Sequence, residues 1–171
     1  MKKISNIEKQ YITIVNDILD HKEFKKIKSI THHGLNRYDH SVRVSYYSYK
    51  IAKLFRLDSY EVARAGLLHD FFLVNNEVIS VKEKMNTLVN HPKYAEAYAS
   101  KYFILSDKER DIIRSHMFPI SVVAVPKYAE SWLVNVIDNA VSICEAFSSK
   151  KVYFLRMSNI MIIVLLNFLK L

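Results

Sequence analysis

A chain of 171 residues, half hydrophobic and a quarter charged, is long enough for one domain with a real core and is not a disordered composition. Two glycines and three prolines are too few for a many-stranded β fold, which leaves long helices joined by short loops. The single cysteine, Cys144, excludes an intrachain disulfide, and 25 Lys plus Arg against 17 Asp plus Glu, a net charge of +8, favours an anionic partner.

In chain order, the N-terminal MKKISNIEKQYITIV lacks an apolar run long enough for a signal peptide, which predicts a cytoplasmic protein. Ser5-Asn6-Ile7-Glu8 has capping-box spacing, and Tyr11, Ile12, Val15, Ile18 and Leu19 follow at helical intervals, predicting a helix that ends near His21. Phe24 and Ile27 suggest a short helical turn before a loop at Thr31 to Gly34. A helix then starts near Arg37, capped by Asn36 or Asp39, with His40, Val44, Tyr47, Ile51 and Leu54 on one core-facing stripe. Asp58-Ser59-Tyr60-Glu61 opens the next helix, whose small Ala63 and Gly66 permit close approach to a neighbour and whose end delivers His69 and Asp70.

Phe71 to Val74 is apolar, Asn75-Asn76 reads as a turn, and Val81 to Val89 has weak helical character. His91-Pro92 fits a helix start with proline in the first helical position. A third capping box at Ser106-Asp107-Lys108-Glu109 leads through Ile112 and Ile113 to His116. Pro119 and Pro126 bracket a loop, and a long helix from about Tyr128 to Phe147 carries Leu133, Val134, Ile137, Val141 and Cys144, with Asp138 in its middle. No linker, internal repeat, folded nucleic-acid motif or aromatic–basic repeat interrupts this order, so a specific nucleic acid is not the expected partner.

Histidine and carboxylate are the ligand set of borderline divalent ions such as manganese, iron, nickel or zinc. His40 and Asp138 each lie on an apolar helical stripe, where an unpaired polar group is costly. Each also has a plainer reading. His40 and His116 suit structural, hydrogen-bonded histidines, and His69-Asp70 suits a helix end whose dipole favours His⁺. His91 suits an N-cap, and Asp138 the partner of a lysine.

Their order favours a shared site. His40, His69-Asp70, His91, His116 and Asp138, set in HHGLNRYDHS, ARAGLLHDFF, SHMFP and ES…ID, resemble the HD-domain superfamily of metal-dependent phosphohydrolases, in particular its small single-domain bacterial branch. The likeness runs from about Thr31 to Phe147 within a single domain of residues 1–171. It implies a compact all-α bundle with one or two divalent ions at its centre: manganese or iron first, then nickel, zinc or magnesium. By that resemblance His40, His69, Asp70 and Asp138 hold the first ion, and Asp70 bridges to a second completed by His91 and His116. The implied chemistry is hydrolysis of a phosphomonoester or phosphodiester, with a nucleotide as the phosphorylated partner, by metal-activated water.

Asp70 is then catalytic. Arg37, one helical turn before His40, is placed as a catalytic and bidentate phosphate contact, with Lys93, His33 and Arg43 as further substrate candidates and His32 at the site mouth. Two features depart from the family pattern. Phe71-Phe72-Leu73 follows the His-Asp pair where many relatives have small residues and a lysine, and Asn139 follows Asp138 where lysine is frequent. Both remove a cation, which keeps open an alternative: a metal- and nucleotide-binding sensor or partner module with little turnover.

Residues 152–171 form a final apolar segment with seven consecutive apolar residues at Ile160 to Leu166. Arg156, Ser158, Asn159, Asn167 and Lys170 interrupt what would need about 20 mostly apolar residues to span a bilayer. The expected role is a buried C-terminal helix or a homodimer contact, with peripheral membrane contact as the alternative.

Overall fold

The computed structural model describes residues 5–32, 35–73, 81–121 and 124–147. Helix α1 spans Asn6–Asp20, α2 spans Lys22–Lys25 and runs into a 3-10 turn at Lys26–Ser29, and α3 spans Arg37–Phe55. Helices α4 at Ser59–Leu68, α5 at Val81–Ala99 and α6 at Asp107–Ser115 follow, and α7 covers 129–147. The fold is all-α, as the sequence predicts. Where it reads as a loop there is a two-residue antiparallel pairing, Thr31 opposite Asn36 and His32 opposite Leu35.

Short polar side chains set the helix starts. Ser5 Oγ accepts from the Glu8 N–H (3.2 Å) while the Glu8 carboxylate accepts from the Ser5 N–H (2.7 Å), and Ser106 and Glu109 repeat the motif at α6. Asn36, rather than Asp39, caps α3. Asp58 caps α4 by accepting from the Glu61 N–H, but the Glu61 carboxylate accepts from Ser106 Oγ, so this box becomes a tie between α4 and α6.

At the centre, α3 packs on α4 closely enough that a Cβ on Gly66 would lie 3.1 Å from Ser45 Cα. Ser45 Oγ donates to the Ala63 carbonyl (2.6 Å) and accepts from Tyr11 Oη (2.9 Å), which joins α1, α3 and α4. Burial pushes the Tyr11 hydroxyl pKa up to about 12. Arg64 ties α4 to α1 through Asp17 (2.8 Å) and faces Glu109 of α6 at 3.4 Å.

Two expectations need correction. The inner face of α3 is not the stripe through Tyr47 and Leu54, which are 45% and 76% exposed; it runs through Arg37, His40, Ser41, Val44, Ser45, Ser48 and Ala52. A close helix contact selects small residues over large apolar ones, so serine marks the buried side. Nor does a helix begin at His91: α5 runs through it, with Pro92 inside. The proline removes one helical hydrogen bond, yet Ala95 and Ala99 on the same helix are fully buried, and that packing outweighs the local stop signal. Along α7, Val134 and Val141 are buried as expected, whereas Cys144 is exposed. Among the described residues no helix is long and apolar enough to cross a membrane; the segment 152–171 lies outside them.

Candidate metal centre

Six side chains from five elements converge. His40 comes from the first turn of α3 and Asp138 from the middle of α7; His69 and Asp70 follow the end of α4, His91 lies within α5, and His116 follows α6. All six are buried, and the rings of His40, His69 and His116 are almost fully so. Two groups have ligand atoms within 4.8 Å of one another: His40, His69 and Asp138, and His69, Asp70 and His116. His91 joins the second, its Nε2 lying 3.2 Å from Asp70 Oδ1 and 2.9 Å from His116 Nε2. In the first, Asp138 Oδ1 lies 3.0 Å from His40 Nε2 and 3.6 Å from His69 Nε2.

The outward ring nitrogens decide which way the lone pairs face. His69 Nδ1 meets the Gly66 carbonyl at 2.8 Å, His116 Nδ1 the Ile113 carbonyl at 2.7 Å, and His40 Nδ1 the Glu145 carboxylate at 2.9 Å. Carbonyl oxygens only accept, so Nδ1 of His69 and of His116 carries a proton, and in a neutral ring Nε2 is then a lone pair; His40 lies between two carboxylates, Glu145 on Nδ1 and Asp138 on Nε2, and either nitrogen can carry its proton. The three Nε2 atoms gather about the carboxylates of Asp70 and Asp138. The buried His69 Nε2 has no hydrogen-bond partner. Imidazole nitrogens and carboxylates gathered this closely fit a divalent cation that takes the place of the ring protons, and the nitrogen–oxygen set suits manganese, iron, nickel or zinc.

The electrostatics agree. Burial works to lower the His69 pKa, but Asp70 and Asp138 outweigh it and raise it to about 9. Burial likewise works to raise Asp138, but its bonds to His40 and His69 hold it well below the usual carboxylate range. His116 is pushed down to about 3 by burial and by the neighbouring His69 and His91. The centre thus favours positive charge beside Asp138 and resists a proton on His116.

The remaining sequence-predicted residues separate. Arg37 is buried next to the centre: its guanidinium lies over the Phe72 ring (4.0 Å), NH1 donates to the Phe72 carbonyl (2.7 Å), and Nε faces Asp70 Oδ2 at 3.9 Å without a hydrogen-bond partner. Burial pulls its pKa down against the pull of Asp70. Phe72 in turn stacks on His91 with ring centres 5.5 Å apart. Lys93 is exposed and lines a cleft of about 840 Å³ with Glu96, Arg110, Arg114 and Lys127, and none of the six candidate ligands lines it. Arg43 reaches Glu145 (3.3 Å). His33 and the side chain of His32 lie outside the described residues.

Sequence reasoning missed two supporting residues. Glu145 holds His40, and Asn135 Nδ2 donates to the carbonyls of His116 and Phe118 (2.7 Å to the latter), fixing the turn that carries His116. Both lie on α7 with Asp138, at three residues before it and seven after. Helical spacing from Asp138 was the available signal, since those offsets return to nearly the same face.

Residues 37–141, more than half of the chain, match the family described as the HD domain, and the chain belongs to that family. The matched stretch contains all six ligand-type residues. HD domains generally mark metal-dependent phosphohydrolases and bind divalent metals. No curated protein and no solved structure matches the chain.

Proposed function

We propose that this protein hydrolyses a phosphomonoester or phosphodiester of a nucleotide, using one or two divalent ions held by His40, His69, Asp70, His91, His116 and Asp138. The observation that carries the reading is the inward turn of the histidine lone pairs onto Asp70 and Asp138, each fixed by an acceptor behind its ring. Ions bound there would acidify water and polarise the phosphoester, the chemistry that HD domains use. His40, His69, Asp70 and Asp138 would hold one ion, and Asp70, His91 and His116 a second. Arg37 adds a buried positive charge beside Asp70, 3.9 Å from its Oδ2, which would favour an anionic phosphoryl group at the centre. The net charge of +8 supports an anionic substrate.

One pair of observations favours a second reading, in which nucleotide binds without turnover. The stretch where many relatives carry small residues and a lysine is Phe71-Phe72-Leu73, with Phe71 packed fully inside against Phe24 and Tyr98, and after Asp138 stands Asn139, whose Nδ2 donates to its own helix at the Asn135 carbonyl (2.8 Å). Neither offers a cation to phosphate.

Elemental analysis of protein purified without chelator is expected to find roughly one to two transition-metal ions per chain. A nitrophenyl phosphodiester and a nucleotide panel, assayed with manganese, separate the readings. Turnover that is lost in Asp70→Ala supports the hydrolase; saturable nucleotide binding without product supports the sensor. A metal-free chain with all six residues intact sinks both.

A further inference from the structure

We propose that Glu145 is a positioning residue of the metal centre: a buried carboxylate near the end of α7 that fixes the tautomer and ring orientation of His40 and is itself held by Arg43. The inference rests on the metal-binding reading above, and it names a residue beyond the stretch that matches the HD domain. Glu145 is 3% exposed, a rare condition for glutamate unless something fixes the charge. Oε2 meets His40 Nδ1 at 2.9 Å, and Oε1 meets Arg43 NH1 at 3.3 Å. Arg43 is about half exposed and lies one turn after His40 on α3, so helix and carboxylate lock together from the solvent side.

Asp138 and Glu145 are two turns apart on α7, which brings both carboxylates to one face. The His40 ring spans them, with Nε2 3.0 Å from Asp138 Oδ1 and Nδ1 on Glu145. An apolar residue would fill this space at less desolvation cost. What the carboxylate supplies is an acceptor that favours the Nδ1–H form and a negative charge that strengthens Nε2 as a ligand. With Asp138 alone the proton would stay on the nitrogen that faces Asp138, where an ion would have to displace it. Glu145 offers the proton a place on the far side of the ring. The groove between α3 and α7 around Glu145 is otherwise lined largely by apolar side chains, among them Ile51, Ile137, Ala140 and Val141.

The test uses the full chain with Glu145→Ala, Glu145→Gln and Arg43→Ala, read in two ways. Nitrogen NMR of the metal-free protein reports the His40 tautomer, and calorimetric titration with manganese or zinc alone reports affinity. Wild type is expected to show the Nδ1–H form. Glu145→Ala is expected to mix the tautomers and to bind metal about 10- to 100-fold more weakly, the usual loss when such a supporting partner is removed. Glu145→Gln, whose amide oxygen still accepts but carries no charge, is expected to keep the tautomer and lose about tenfold; Arg43→Ala is expected to lose less. If Glu145→Ala does not fold, Glu145→Gln carries the test. Wild-type affinity in the folded variants overturns the proposal, even where the melting temperature falls, because that result leaves Glu145 a packing role only. A wild-type protein that takes up no metal defeats the metal reading instead, while the tautomer in the metal-free variants still decides whether Glu145 orients His40.

Discussion

The half of the centre around Asp138 joins His40 from within α3 to Asp138 from within α7, whereas the half around Asp70 joins residues that follow the ends of α4 and α6 to His91 from within α5. The chemistry differs along with the placement. Around Asp138 each imidazole meets a carboxylate, at 3.0 and 3.6 Å, so the arrangement is attractive once any positive charge arrives. Around Asp70 the carboxylate likewise lies 3.2 Å from His91 Nε2 and 3.7 Å from His116 Nε2, but these two nitrogens also face each other at 2.9 Å, and burial disfavours a proton on His116. The first half tolerates either a proton or an ion; the second is relieved by an ion far better than by a proton. A shared site can therefore hold two positions of unequal strength, with His69 and Asp70 as the hinge between them.

The largest expected effect comes from removing that hinge. Asp70→Ala should lower turnover of a nitrophenyl phosphodiester by at least about 10³-fold, equivalent to the several kcal/mol that metal polarisation supplies. Turnover within tenfold of wild type would mean that the Asp138 half works alone and that the comparison has no catalytic content.

Substitutions in the two halves should then differ. His116→Ala is expected to retain one tightly held ion, and His40→Ala to weaken that tight position by about 100-fold or more, both read by titration and elemental analysis. Equal losses from both variants would show two equivalent positions and break the distinction.

The pH response sharpens it further. In the metal-free protein His69 is raised from the ordinary 6.5 to about 9. A raised pKa contributes stability that is complete below pH 6.5 and is lost as pH climbs through about 9, so the metal-free protein should melt at progressively lower temperature across that window. An ion needs the neutral ring, so apparent affinity should rise about tenfold per pH unit for the one displaced proton and level off near pH 9. An affinity flat between pH 7 and 9 would show that His69 takes up no proton that the ion must displace.

Much of this centre was legible because ligand residues are constrained by chemistry and leave their type and order in the chain. The six residues and the caps at Ser5, Asn36, Asp58 and Ser106 are of that kind. What stayed hidden depends on distances between helices. The serine face of α3 reads as a polar side until the closeness of α4 is known, and α5 reads as broken at Pro92 until its alanines are seen inside. Arg37 reads as a phosphate contact one turn before His40, yet Phe72, in the stretch that replaces the usual small residues and lysine, captures it between ring and carbonyl. Glu145 carries only its helical spacing from Asp138 as a signal, because its role exists only once α7 lies beside α3.

Gly66→Ala tests the one element that serves both halves, and two magnitudes oppose each other there. Alanine gains up to about 1 kcal/mol over glycine within a helix. Against that, the new Cβ would lie 3.1 Å from Ser45 Cα, a backbone atom, and overpacking of this kind costs about 1–3 kcal/mol. Ser45 has little room to retreat, since it is bonded to both the Ala63 carbonyl and Tyr11 Oη. The clash should win by about 1 kcal/mol, a fall of about 2–4 °C in melting temperature. Because the Gly66 carbonyl holds His69 Nδ1, the shift should also turn the His69 ring and weaken both metal positions by similar factors, which no variant within one half should do. An unchanged melting temperature, or a loss confined to one position, would show that the α3–α4 contact has slack and that His69 is steered from elsewhere.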